Sequence, residues 1–109
     1  MAAQRRAVIR SNGRSQEPDA ARFKALSDPH RLRLLATLAG AGESVCVCDL
    51  NECVPLLQPT VSHHLRVLKH AGLVDRKRRG TRIYYCLNAD ALTQLRKALD
   101  AITPRRFSK

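Results

Sequence analysis

Residues 58–72 read QPTVSHHLRVLKHAG, and the pattern of that stretch decides the architecture. At about 3.6 residues per turn, Val61, Leu65 and Leu68 fall on one side, while Ser62, His63, Arg66 and His70 fall roughly opposite. This predicts an amphipathic helix with one face for a core, one polar face for a partner, and an end at Gly72. His64 lies nearer the apolar stripe than His63. The helix starts without a strong cap, because Leu57 precedes Gln58 where a Ser or Asn would serve better.

Downstream, LVDRKRRGTRIYYCLN (73–88) changes period. Ile83, Tyr85 and Leu87 alternate with Arg82, Tyr84 and Cys86, which predicts two short strands about a turn at Arg79 and Gly80, with the tyrosines assigned to core packing. Between positions 66 and 82 stand seven basic side chains (Arg66, Lys69, Arg76, Lys77, Arg78, Arg79, Arg82) and a single acid, Asp75. A solvated surface mixes its signs, so this block reads as a contact face. The whole chain carries 20 Lys and Arg against nine Asp and Glu, a net charge of +11, which points to a polyanionic partner.

Upstream, SDPHRLRLLATLAGAG (27–42) predicts a helix capped by Asp28, with Pro29 in its first turn, Leu32, Leu35 and Leu38 repeating along it, and Gly40 ending it. Before it, EPDAARFKAL (17–26) allows a short helix lined by Phe23 and Leu26. Asp49 and Glu52 in DLNECVPLL approximate a capping box for another short helix, limited by Pro55. After the hairpin, NADALTQLRKALDAI (88–102) is capped by Asn88 or Asp90 and carries Leu92, Leu95, Leu99 and Ile102 on one stripe. One protomer has little left for that stripe to cover, so it is assigned to a homodimer interface.

The sum of these elements is mainly α with a small β-hairpin, a dimeric winged helix-turn-helix. With 109 residues a single domain is expected, spanning 17–103, between a flexible basic N-terminal arm at 1–16 and a basic C-terminal tail at 104–109. The arm carries Arg5, Arg6, Arg10 and Arg14. Two Phe, two Tyr and no Trp leave the core to Leu, Val, Ile and Ala. No apolar run reaches the roughly 18–20 residues that cross a bilayer, so a cytoplasmic protein with no membrane partner is expected.

A helix fits the major groove of duplex DNA, where exposed side chains reach base edges and neighbouring cations hold phosphates. On that logic Gln58, Thr60, Ser62, His63 and Arg66 face the groove. Arg78, Arg79 and Arg82 on the hairpin hold backbone or minor groove. No enzyme is expected. A disulfide oxidoreductase would show C-x-x-C in a strand-helix-strand unit, and SVCVCDLNEC (44–53) shows C-x-C without one.

The combination of CVCDL, QPTVSHHLRVLKHAGLV and RKRRGTRIYYCL resembles the ArsR/SmtB family of metal-responsive repressors, over about residues 23 to 99. The CVCDL motif is similar to that of its arsenic- and cadmium-sensing branches. The resemblance implies a homodimer joined by terminal helices that binds a double-stranded operator and releases it when a metal or metalloid binds. Leu57 departs from the pattern, since similar sequences carry Ser there. Asn51 departs as well, standing where similar arsenic sensors place a third Cys.

Soft thiolates select soft ions. Cys46 and Cys48 supply two sulfurs. With Asp49 as cap, Cys48 and Cys53 would occupy the two positions that a hydrophobic staple brings together, which makes Cys53 the third ligand. No Cys precedes residue 46 and no His stands in the last helix, so the two fuller coordination sets of the family lack their residues. Three sulfurs suit a pyramidal ion, so trivalent arsenic or antimony is the expected inducer, with no organic cofactor. Cadmium, lead or mercury, or thiol oxidation on the same scaffold, are the alternatives; Cys86 is expected to be inert.

Overall fold

In a computed structural model of the chain, residues 16–104 are described. They form α1 (Glu17–Ala25), α2 (Pro29–Ala41), β1 (Val45–Cys46), α3 (Val47–Leu50) continued by a 3-10 turn (Asn51–Cys53), α4 (Gln58–His70), β2 (Val74–Arg79), β3 (Arg82–Leu87) and α5 (Ala89–Ile102). The proposed arm and tail lie outside the described residues, apart from the boundary positions 16 and 104.

The core sits where α2, α3 and α4 meet the base of the sheet. Leu34, Leu38, Leu50, Val61, Leu65, Leu68 and Leu73 are almost fully buried in it. Burying a side chain of this kind contributes roughly 1.5–3 kcal/mol, so this aliphatic seam holds the helices together without large aromatics.

Local chemistry explains most of the boundaries. The Asp28 carboxylate accepts from the His30 and Arg31 amides at 2.8 and 3.1 Å, which caps α2. That helix runs past Gly40 and stops at Gly42, whose φ of +70° is the left-handed conformation that glycine adopts without strain. Its buried face is Leu34, Leu35 and Leu38, so Leu32, expected on that face, lies 50% exposed. At α5 the Asn88 side chain accepts from the Ala91 amide at 3.1 Å, which selects Asn88 over Asp90 as the cap. From α1, Arg22 donates to the last-turn carbonyl region of α4 at Ala71 and to Gln94 of α5, tying three helices together.

Two expectations near the cysteines need correction. The hairpin has a third strand: β1 pairs antiparallel with β3, Val45 opposite Tyr85 and Cys46 opposite Tyr84, giving the order β1-β3-β2. Two residues are too few to show a period of two, so nothing in the sequence marks the strand. Because this pairing fixes the chain at Cys46 in extended backbone, the helix begins immediately after it, with Cys46 as N-cap rather than Asp49. Cys48 and Cys53 therefore do not occupy the staple positions that an Asp49 cap would have given them.

Candidate nucleic-acid interface and thiol site

The exposed start of α4 is built without a side-chain cap. Leu57 is extended, and its carbonyl accepts from the Thr60 and Val61 amides at 3.0 and 3.1 Å. Gln58, Thr60, His63 and Arg66 project outward, and Ser62 is half-buried. Val61, Leu65 and Leu68 pack inward, and His64 is buried with them.

His64 links α4 to the start of α2. Its Nδ1 lies 3.0 Å from Arg31 Nη1, and its Nε2 lies 4.0 Å from Asp28 Oδ1. Arginine only donates, so Nδ1 accepts and the ring is neutral with its proton on Nε2. Arg31 also donates from Nε to the Ala25 carbonyl at 2.6 Å, which holds it in place. Burial pushes the His64 pKa below its ordinary value of 6.5, against the pull of Asp28. The unfolded chain thus takes up a proton at a pH where the folded protein refuses it, so stability falls as pH drops below about 6.5. Thermal melts from pH 7.5 to 5 should show this loss in the wild type and a smaller one in His64→Gln; equal pH dependence in both would refute the assignment.

The wing presents its charge on exposed strands. Gly80 (φ +63°) and Thr81 form the two-residue turn between Arg79 and Arg82, with the glycine where a type II′ turn needs it. Arg79 and Arg82 are direct cross-strand partners, an arrangement of like charges that an anion relieves. The Arg79 guanidinium stacks 5.0 Å over the Tyr84 ring, so Tyr84 supports a basic side chain while Tyr85 alone joins the core.

The structure brings Cys46 and Cys48 together and leaves Cys53 apart. Cys48 Sγ donates to Cys46 Sγ at 2.8 Å, whereas Cys53 Sγ donates to the Asp49 carbonyl at 3.5 Å. The Cys48 thiol is the main reason that the Cys46 pKa is lowered, aided by the Cys48 amide and Arg82 against burial and Asp49. The same hydrogen bond raises the pKa of Cys48, which holds the shared proton. Among the described residues no three His, Cys, Asp or Glu side chains are gathered in a metal-holding group. Two sulfurs are thus held side by side, and Cys53 is not gathered with them. Cys86 stands on β3 opposite Asp75.

Between α4, the start of α3 and the wing runs a cleft of about 770 Å³. Cys46 and Cys48 line it together with Gln58, Ser62, Arg66 and Arg82 from the expected reading surface. Thr60, His63, Arg78, Arg79 and Cys53 are not among its walls. Lys69, Arg76 and Asn51 also line it, and sequence reading gave none of them a role at the thiols. For Lys69 and Arg76 the signal was present in the basic block; for Asn51 the only pointer was its departure from the family pattern.

A groove-sized helix with a polar outer face, followed by a basic two-stranded wing, defines a winged helix-turn-helix DNA-binding domain. Residues 28–76 match the family of bacterial regulatory proteins called arsR. An arsenical resistance operon repressor of Bacillus subtilis is 39% identical over 68% of this chain and 70% of its own length. A homologue of the cadmium resistance regulatory protein, from Staphylococcus aureus, is 40% identical over 67% of this chain, which spans 60% of that relative. The solution structure of a homodimeric winged helix-turn-helix DNA-binding domain from Mycobacterium bovis superposes with a TM-score of 0.65 and 28% identity, covering 84% of this chain and 89% of that one. This chain belongs to the arsR family. Its fold and relatives are those of transcriptional regulators, not enzymes. Among the described residues no helix is long and apolar enough to cross a membrane.

Proposed function

We propose that this regulator is a homodimeric repressor that holds an operator through α4 and the wing and releases it when trivalent arsenic or antimony binds its thiols. The observation that carries the reading is the shared cleft: the sulfur pair and part of the DNA-reading surface form its walls. Gln58, Thr60, Ser62, His63 and Arg66 read the groove, and Arg78, Arg79 and Arg82 hold phosphates. Cys46 and Cys48 are the first two ligands. Cys53 becomes the third when the 3-10 turn that carries it opens.

The kinship to an arsenical resistance repressor supports the metalloid, and the near-equal kinship to a cadmium regulator shows that likeness alone does not choose the ion. Ligand chemistry favours the metalloid: a tetrahedral ion wants a fourth donor, whereas a pyramidal one is satisfied by three sulfurs. The dimer is supported by α5, where Leu99 and Ile102 lie 49% and 75% exposed on the stripe that buries Leu95. Oxidation of the thiols is a second reading, favoured by the 2.8 Å sulfur separation.

Fluorescence anisotropy of a labelled operator, with each effector titrated into the wild-type protein, tests these readings side by side. Release by arsenite and antimonite at lower concentrations than by cadmium, lead, mercury or peroxide is expected. Release by peroxide alone would replace the metalloid reading with redox sensing.

A further inference from the structure

The cleft is far larger than a single ion needs, and its charge is one-sided. Arg66, Lys69, Arg76 and Arg82 line it, and no Asp or Glu does. Asn51, which lines the same cleft as the thiol pair, has a buried Oδ1 with no hydrogen-bond partner among the described residues. An uncharged amide oxygen is a poor ligand for a soft ion but a ready acceptor for an N–H. The pair itself provides two sulfurs for an ion that takes three.

We infer that the cleft binds the metalloid as its conjugate with a small anionic thiol, one thiolate of which stays on as the third ligand of the entry complex. This rests on the metalloid reading above and adds the form in which the inducer is recognised. Where small thiols are in excess, trivalent arsenic exists as a tris-thiolate. Exchange then proceeds without redox change. The Cys46 and Cys48 sulfurs each form an arsenic–sulfur bond, two arsenic–sulfur bonds to the carrier break, and the two cysteine protons leave on the two released carrier thiols. The retained carrier lies along the cleft, its carboxylates against the basic wall, and its N–H groups meet the Asn51 oxygen once that side chain turns out of its buried position. Cys53 displaces it only in a later exchange. Because Arg66 and Arg82 belong to both the cleft and the DNA surface, a retained anion competes with phosphate for the same cations.

The test compares two preformed arsenic tris-thiolates at equal thiol excess. One carries glutathione, whose two carboxylates outnumber its one ammonium; the other carries uncharged 2-mercaptoethanol. Operator release is followed by anisotropy and the bound species by native mass spectrometry, for the wild type and for Lys69→Gln with Arg76→Gln. Both substituted positions are exposed, so the doubly substituted protein is expected to fold; because both belong to the basic block, the potency of each conjugate is read relative to the variant's own operator affinity. The wild type should respond to the glutathione conjugate at concentrations roughly tenfold lower, as charge steering allows, and show one retained glutathione per occupied site. The double variant should lose that preference. Equal potency of the two conjugates in the wild type, or a bound mass of arsenic alone, would overturn this inference and leave the metalloid reading intact. Failure of both conjugates and of free arsenite to release the operator would overturn both.

Discussion

Replacing Arg78, Arg79 and Arg82 together by Gln should weaken operator binding on the order of a thousandfold or more at about 0.15 M salt, and flatten its salt dependence. Each phosphate contact contributes roughly 0.9 to the slope of log K against log salt, so six contacts in a dimer account for about five units of slope. The three residues are exposed, and the Arg79–Arg82 cross-strand pair carries like charges that cost the free wing stability. Their removal should therefore leave the fold intact, which circular dichroism checks. Because phosphate contacts carry no base information, discrimination between operator and scrambled DNA should change little. An unchanged salt slope would show that the wing does not touch the backbone.

The second large effect concerns the thiols. Cys46→Ser or Cys48→Ser should abolish release by arsenite while leaving operator affinity near the wild-type value. Coupling between two sites of this kind is typically about 1–3 kcal/mol, or roughly 5- to 150-fold in affinity, and a serine hydroxyl does not replace a thiolate toward a soft ion. Serine is also a good helix N-cap, so the change at Cys46, which is 7% exposed and caps α3, preserves the local fold. Cys53→Ser should weaken metalloid binding yet keep a residual response through the preformed pair. Cys86→Ser should behave as wild type. Anisotropy titrations of the four variants measure all of this, and full release in Cys48→Ser would displace the sensing site from this pair.

What could be read beforehand follows from the length of each signal. The helix of residues 58–70 announces itself because three aliphatic residues recur over more than two turns, and the wing because its alternation and its charges coincide. Asp28 was legible as a cap, and Asn88 as one of two candidates with Asp90, since their short acceptors precede apolar repeats. β1 was not, because its two residues owe their conformation to Tyr84 and Tyr85, some forty positions away. That single pairing moved the cap from Asp49 to Cys46 and with it undid the spacing argument that had joined Cys48 to Cys53. Gly40 misled because a glycine can continue a helix as well as end it; the residue that takes the left-handed conformation and stops this one is Gly42, and the chain stays helical to Ala41. The candidate residues stand in the sequence as two separate groups, the thiols and the proposed DNA contacts. That Cys46 and Cys48 share a cleft with Gln58, Ser62, Arg66 and Arg82 is a tertiary fact, set by β1 laying Cys46 beside β3 and by Leu65 seating α4 in the core.

The proposed competition through one cleft implies a reciprocal coupling, and binding thermodynamics gives it no freedom: whatever factor the metalloid takes from operator affinity, the operator must take from metalloid affinity. The direct measurement is the dissociation constant of arsenite for the dimer by calorimetry, free and with saturating operator duplex. A weakening of roughly 5- to 150-fold in the presence of operator, equal to the factor found in the DNA titration, is the expected result. Identical arsenite affinity with and without operator would contradict the claim that thiols and DNA compete through one cleft.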